Sequence, residues 1–373
     1  MNSDADNDQR IPITLLTGFL GAGKTTLVNR ILSSPDSGKI AVVVNEFGEI
    51  GIDGDLISRA SEDMLELSNG CICCSSKDDL MESLYKLYMR KAGFAQPKVD
   101  FDRVLIETTG IANPLPLAQA LYTDMSLNLT YRLDAIVTLV DLRHVEDQLQ
   151  SAPEAERQIA LADKIIFNKR DLVNAEQCGS ARALVEALNP IAAKMTVSYG
   201  DVAAAELLDL GLFDPSTREG SVSSWIGMDG DARHASEDHC ALCGSGEHDH
   251  DRDHDHHHAH AHVDVSSVSF REATAVDYEK FLAFLTQLTS SYGANLYRVK
   301  GLIRFSGVDR PIILQGVQNV FSPLTYAEAW PRGVPETRLV IIGKKLEKEN
   351  IAAGFNECVA SSVDVVKHGV IMV

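Results

Sequence analysis

Gly18-Phe19-Leu20-Gly21-Ala22-Gly23-Lys24-Thr25 has the residue types and spacing of a phosphate cradle, matching G-x-x-x-x-G-K-[ST] at every fixed position. An apolar run from Ile11 to Leu16 leads into it, and Leu27, Ile31 and Leu32 leave it at helical spacing, so the loop joins a strand to a helix N-terminus. There the glycines let backbone N–H groups wrap phosphate oxygens, Lys24 sets a positive charge against the β and γ oxygens, and the Thr25 hydroxyl can ligate Mg2+. Gly18, Gly21, Ala22, Gly23, Lys24, Thr25 and Thr26 are therefore the expected phosphate-binding residues.

Further polar groups follow strand-like runs. Glu107-Thr108-Thr109-Gly110 closes one, which puts Glu107 near the magnesium and Gly110 where its N–H could sense a γ-phosphate. Lys24, Thr25 and Glu107 form the expected catalytic set. Asn168-Lys169-Arg170-Asp171 closes another run and fits N-K-x-D. The Asp171 carboxylate can accept from guanine N1–H and its 2-amino group, a pairing adenine cannot make, so Asn168, Lys169 and Asp171 point to GTP.

Gly70-Cys71-Ile72-Cys73-Cys74 places three thiols within four residues, a donor set for a thiophilic metal. No fourth cysteine or histidine is nearby in sequence, so the site would keep an exchangeable position; redox sensing would use the same thiols. Residues 227–265 carry no helical or strand period but hold His234, His239, Cys240, Cys243, His248, His250, His254, His256, His257, His258, His260 and His262 among aspartates. This composition implies a disordered, multidentate metal-binding ribbon, with Cys240, Cys243, His254, His256, His257 and His258 as auxiliary ligands. Cys178 and Cys358 are isolated and read as core residues.

The elements that must position these groups are legible as runs. Lys39–Val44, Arg103–Glu107, Ala135–Val140 and Lys164–Phe167 are short, continuous and apolar, as strands buried on both faces are. Helical stretches separate them, including Lys77–Tyr88, where Leu80, Leu84, Leu87 and Tyr88 share a face, and Ala175–Leu188. The alternation predicts a doubly wound α/β domain over 10–212, with ligands at the carboxyl ends of its strands. A His/Asp-rich linker over 213–265 and a smaller C-terminal α/β domain over 266–373 follow. In the latter, Val268–Arg271, Tyr297–Phe305, Pro311–Val317 and Arg338–Gly343 read as strands. Helices are expected from Asp277, with Phe281, Phe284, Leu285 and Leu288 on one face, and from Leu346 through Phe355, giving a sheet covered by helices on one face.

Composition limits the function classes. The 373 residues carry a formal charge of −19, which would repel phosphate backbones and argues against nucleic acid as a partner. With 45% apolar and 23% charged residues the chain has the composition of a soluble globular protein, and no run of about 18 uncharged apolar residues appears. Residues 1–10 lack the features of a secretory leader, so a cytoplasmic protein is expected, with its cysteines reduced.

Taken together, Gly18–Thr25, Asn45–Gly48, Gly70–Cys74, Glu107–Gly110 and Asn168–Asp171, in that order, resemble the CobW family of GTP-dependent metallochaperones. The C-x-C-C element within a nucleotide-binding domain is specific to that family. Arg298-Val299-Lys300-Gly301 and Leu314-Gln315-Gly316-Val317-Gln318 are similar to its C-terminal domain. The resemblance implies slow GTP hydrolysis coupled to binding a transition metal, most often zinc with cobalt or iron as alternatives, and handing it to a client protein. Some relatives place a glutamate ligand just before the Asn45-Glu46-Phe47-Gly48 loop; here that position is Val44, which leaves Glu46 and Glu49 as nearby candidates. Two other readings compete. A metal buffer or sensor would use the nucleotide only structurally, and a small-molecule kinase is disfavoured by the guanine motif.

Overall fold

The computed structural model describes residues 8–45, 77–213 and 264–359. Six strands, β1 (Ile11–Thr17), β2 (Ile40–Asn45), β3 (Arg103–Thr108), β4 (Tyr131–Asp141), β5 (Lys164–Asn168) and β6 (Ala193–Thr196), form a parallel sheet in the order β2-β3-β1-β4-β5-β6. Their apolar runs are continuous because alternate residues feed different cores. Ile13, Leu15, Val104, Ile106, Ile136, Ile165 and Phe167 pack on one face, and Leu16, Leu105, Val137, Leu139 and Ile166 on the other. This is the doubly wound arrangement expected.

α1 (Lys24–Ser33) covers the second of these faces with Leu27, Val28 and Ile31. The first face takes α2 (Lys77–Lys91), α3 (Leu115–Thr123), α4 (Met125–Thr130), α5 (Val145–Ser151), α6 (Pro153–Leu161) and α7 (Ala175–Leu188). Leu80, Leu84 and Leu87 of α2 are buried, but Tyr88 is exposed, contrary to expectation. Ser83 is buried as well, so the stripe is centred on Ser83 and Leu84 and Tyr88 falls at its edge. α7 spans the residues expected and opens on an Asn174–Gln177 capping box.

The second sheet is antiparallel. β7 (Val265–Glu272), β8 (Leu296–Ile303), β9 (Ile312–Val317), β10 (Val320–Phe321) and β12 (Thr337–Lys344) run in the order β10-β9-β8-β12-β7, with β11 (Thr325–Tyr326) also on β9. α8 (Tyr278–Tyr292), capped by Asp277, and α9 (Lys348–Cys358) cover one face. Phe281, Phe284, Leu285 and Leu288 are buried there with Ile351, Phe355 and Cys358.

The other face of this sheet rests on the parallel domain. All of β8 is buried, including Arg298 and Lys300, whose side chains both reach Asp163 Oδ1 at 2.6 Å. Arg298 also lies over the Phe213 ring, and Lys300 Nζ donates to the Leu212 carbonyl at 3.0 Å. Burial among these groups pushes the Lys300 ammonium down to about 8, with the Asp163 carboxylate opposing the shift and Arg298 adding to it. Asp163 in turn accepts from the Ile136 N–H at 2.9 Å, so the second sheet is fastened just before the strand that leads to Asn168.

Candidate functional site

The carboxyl ends of β1, β3, β4 and β5 converge. Register places Glu107 beside Leu16 and Asn168 beside Asp141. The loop opened by Gly18 and Gly21 leaves β1 and enters α1 through Gly23, whose φ of 103° lies in the left-handed region. No side chain caps this helix, so its first N–H groups face the loop as an anion site. Lys24 is almost buried, with Nζ donating to the Gly18 carbonyl at 2.8 Å and pointing back across the cradle. Ala22 is buried, and Thr26 is exposed on the first turn.

The adjacent β3 end supplies the acidic side. The Thr25 hydroxyl donates to Glu107 Oε1 at 2.9 Å, and Glu107 is buried. The side-chain hydroxyls of Thr17, Thr108 and Thr109 are buried with no hydrogen-bond partner among the described residues. Gly110 packs directly on the phosphate loop: a Cβ there would meet Leu20 N at 2.7 Å and Leu20 Cα at 2.8 Å, so no larger residue fits without moving the loop.

On the far side Asn168 fastens the guanine motif to the phosphate loop. It is buried, donates through Nδ2 to the Ala22 carbonyl at 2.9 Å and accepts at Oδ1 from the Gly200 N–H at 2.9 Å. A Cβ on Gly23 would stand 2.7 Å from Asn168 Nδ2, so the glycine permits this clamp. Lys169 adopts a left-handed φ of 60°, and its Nζ donates to Asp141 Oδ2 at 2.8 Å. Asp141 also accepts from the Arg143 N–H at 2.9 Å and lies 2.8 Å from His144 Nδ1. Burial alone would raise the Asp141 carboxyl, but these bonds outweigh it and hold the group below its usual range. Asp171 sits exposed on the short turn after Lys169, open to a base.

The structure thus assembles the phosphate loop, Glu107, Gly110, Asn168 and Lys169 at one mouth with Asp171 at its rim. A nucleoside triphosphate and magnesium fit these residues: the glycine-lined loop, the uncapped helix end, the Thr25–Glu107 pair and the partnerless hydroxyls supply donors and oxygen ligands. Magnesium held there would neutralise charge on the β and γ oxygens. Cys71, Cys73, Cys74, Glu46, Glu49 and the ribbon with Cys240, Cys243, His254, His256, His257 and His258 lie outside the described residues. Among the described residues no group of three or more His, Cys, Asp or Glu side chains could hold a metal. Cys178 and Cys358 are buried, as expected of core thiols.

Sequence reasoning missed Asp141 and Gly200. Asp141 ends an apolar run as Glu107 does, a signal that could have marked it. Gly200 acts through a contact distant in sequence and carries no local signature.

Comparison with known proteins agrees with this geometry. Residues 12–196 match the family model described as CobW/HypB/UreG, nucleotide-binding domain, and residues 265–359 match the cobalamin synthesis protein cobW C-terminal domain. The chain belongs to the CobW family. This family member is 32% identical to the zinc chaperone YjiA of Escherichia coli, over 92% of the present chain and 98% of that protein. It is also 32% identical to the zinc-regulated GTPase metalloprotein activator 1 of Schizosaccharomyces pombe, over 91% and 83% of the two chains. The crystal structure of Zn(II)-bound YjiA GTPase aligns with a TM-score of 0.64 at 28% identity, covering 94% of this chain and 99% of that one.

Proposed function

We propose that this protein hydrolyses GTP to GDP and phosphate and uses the change of nucleotide state to bind a transition metal, zinc first, and release it to a client metalloprotein. The observation that carries the nucleotide part is the clamp from Asn168 to the Ala22 carbonyl, which makes the guanine motif and the phosphate loop one rigid unit. In this reading Lys24 and the N-terminus of α1 hold the phosphates, Thr25 with Glu107 holds magnesium, and the Gly110 N–H meets the γ-phosphate. Lys169 and Asp171 select guanine. Named relatives that are zinc chaperones and a zinc-regulated GTPase support the metal part. Cys71, Cys73 and Cys74 are the proposed ligands, with the His-rich ribbon as an auxiliary store.

Thiolate ligands favour zinc, and because the thiols must lose their protons to bind, affinity falls as pH is lowered. Because Asn45–Glu49 and Cys71–Cys74 lie in sequence between the phosphate loop and the Glu107–Gly110 strand end, loss of the γ-phosphate can alter the metal site through them. The test is phosphate release by the purified protein from GTP and ATP, with and without zinc. Turnover selective for GTP and changed by zinc is expected. Absence of turnover would favour a metal buffer in which the nucleotide only stabilises the fold, and equal turnover of ATP would remove the guanine assignment.

A further inference from the structure

Gln158 lies on α6, is 1% exposed, and belongs to no nucleotide motif. Its side-chain Nε2 donates to the Gly110 carbonyl at 3.1 Å and the Ala112 carbonyl at 3.0 Å. Both partners can only accept, so the NH2 end of the amide must face them. Oε1 is buried without a partner among the described residues. A buried amide with its acceptor unmet is a net burden on the fold, and its polar return is the pair of bonds to this one turn.

The base from which Gln158 acts is fixed. The Thr138 hydroxyl of β4 donates to the Gln158 carbonyl at 2.7 Å, and Asn189 Nδ2 donates to the carbonyls of Ile159 and Ala162 at 2.8 and 2.9 Å. One residue earlier, Arg157 Nε contacts the Tyr297 hydroxyl of the second sheet at 3.5 Å. The turn it grips is soft by nature, since Gly110 has no side chain to restrict its backbone. That turn is thus pressed between Leu20 of the phosphate loop on one side and an anchored amide on the other.

We propose that Gln158 is a positioning residue for GTP recognition and hydrolysis: by fixing the Gly110 and Ala112 carbonyls it holds the turn in the orientation that presents the Gly110 N–H to the γ-phosphate. Ordering this segment in advance removes an entropic cost from a contact that GTP makes and GDP does not. The inference rests on Gly110 as the γ-phosphate contact in the function proposed above.

The experiment measures the affinities of the full chain for GDP and for a non-hydrolysable GTP analogue with magnesium, together with kcat, in wild type, Gln158→Met and Gln158→Glu. Methionine keeps the length of the side chain without a donor; a glutamate carboxylate keeps its shape but can only accept. Loss of two neutral hydrogen bonds predicts that the ratio of GTP-analogue to GDP affinity falls about tenfold in both variants, with kcat lower and GDP affinity within about twofold of wild type. A Gln158→Met protein with an unchanged ratio and kcat would overturn the proposal, since packing alone would then suffice. Equal losses for both nucleotides, in step with a lower melting temperature, would also overturn it by showing a merely structural role. If the wild-type protein itself binds the two nucleotides equally, the Gly110 reading fails first and takes this inference with it.

Discussion

Replacing Asn168 with alanine removes two buried hydrogen bonds and strands the Ala22 carbonyl and the Gly200 N–H that they satisfy. Each stranded group costs about 1–3 kcal/mol where water cannot reach it. The groups border an open mouth, so partial hydration should recover some of this, and a net loss of about 2–3 kcal/mol is expected, or roughly 30- to 150-fold in nucleotide affinity. Where the free protein cannot relax, part of the loss appears instead as a melting temperature lower by about 2–4 °C per kcal/mol. Titration with fluorescent GDP and GTP analogues, alongside a thermal melt, reads both. The two affinities should fall by the same factor, because neither bond lies at Gly110. Asn168→Asp keeps the acceptor for Gly200 but turns an oxygen toward the Ala22 carbonyl, so it should not restore binding. Unchanged affinity and melting temperature, or a loss confined to GTP, would refute the view that Asn168 joins the guanine and phosphate sites into one unit.

Thr25→Ala should remove the hydroxyl now held by Glu107 and lower GTP turnover at least tenfold while raising the magnesium concentration needed for half-maximal rate; an unaltered magnesium dependence would contradict the assignment. Lys300 yields a pH prediction. Its folded value of about 8 lies below the ordinary 10.5, so between them the unfolded chain binds the extra proton and stability gains from rising pH. The burden is fully present below about pH 8 and gone above the unfolded value. Lys300→Met removes this burden but also the bridge to Asp163 and the bond to the Leu212 carbonyl, so it should fall progressively further behind wild type in stability as pH rises from about 8 toward 10.5, measured by denaturant melts; parallel stability curves for the two proteins would contradict it.

Much of this was legible because the parallel strands are buried on both faces and must be continuously apolar, and because phosphate and guanine recognition each use residues adjacent in sequence. β6 escaped notice because Ala193–Thr196 is an edge strand half-buried throughout, with no alternation to read. Tyr88 was misassigned because a helical stripe has an edge that periodicity alone does not locate. Arg298 and Lys300 look like solvent-facing positions in a strand, yet both are buried, since Asp163 of the other domain supplies their counter-charge. Gln158 had no signature at all: its meaning comes from two carbonyls brought to it by the fold.

The central claim is that nucleotide state controls metal retention, and it is tested most directly by the zinc affinity of the full chain in two states. Competition with a chelator would be measured once with a non-hydrolysable GTP analogue and magnesium, and once with GDP. The account predicts affinities that differ by about 5- to 150-fold, tighter with the GTP analogue, and by linkage an equal effect of zinc on the affinity for that analogue relative to GDP. Changing Cys73 and Cys74 to serine should abolish the difference while nucleotide binding persists. Identical zinc affinities in the two states would contradict a GTP-driven handover and leave a metal buffer that happens to bind GTP.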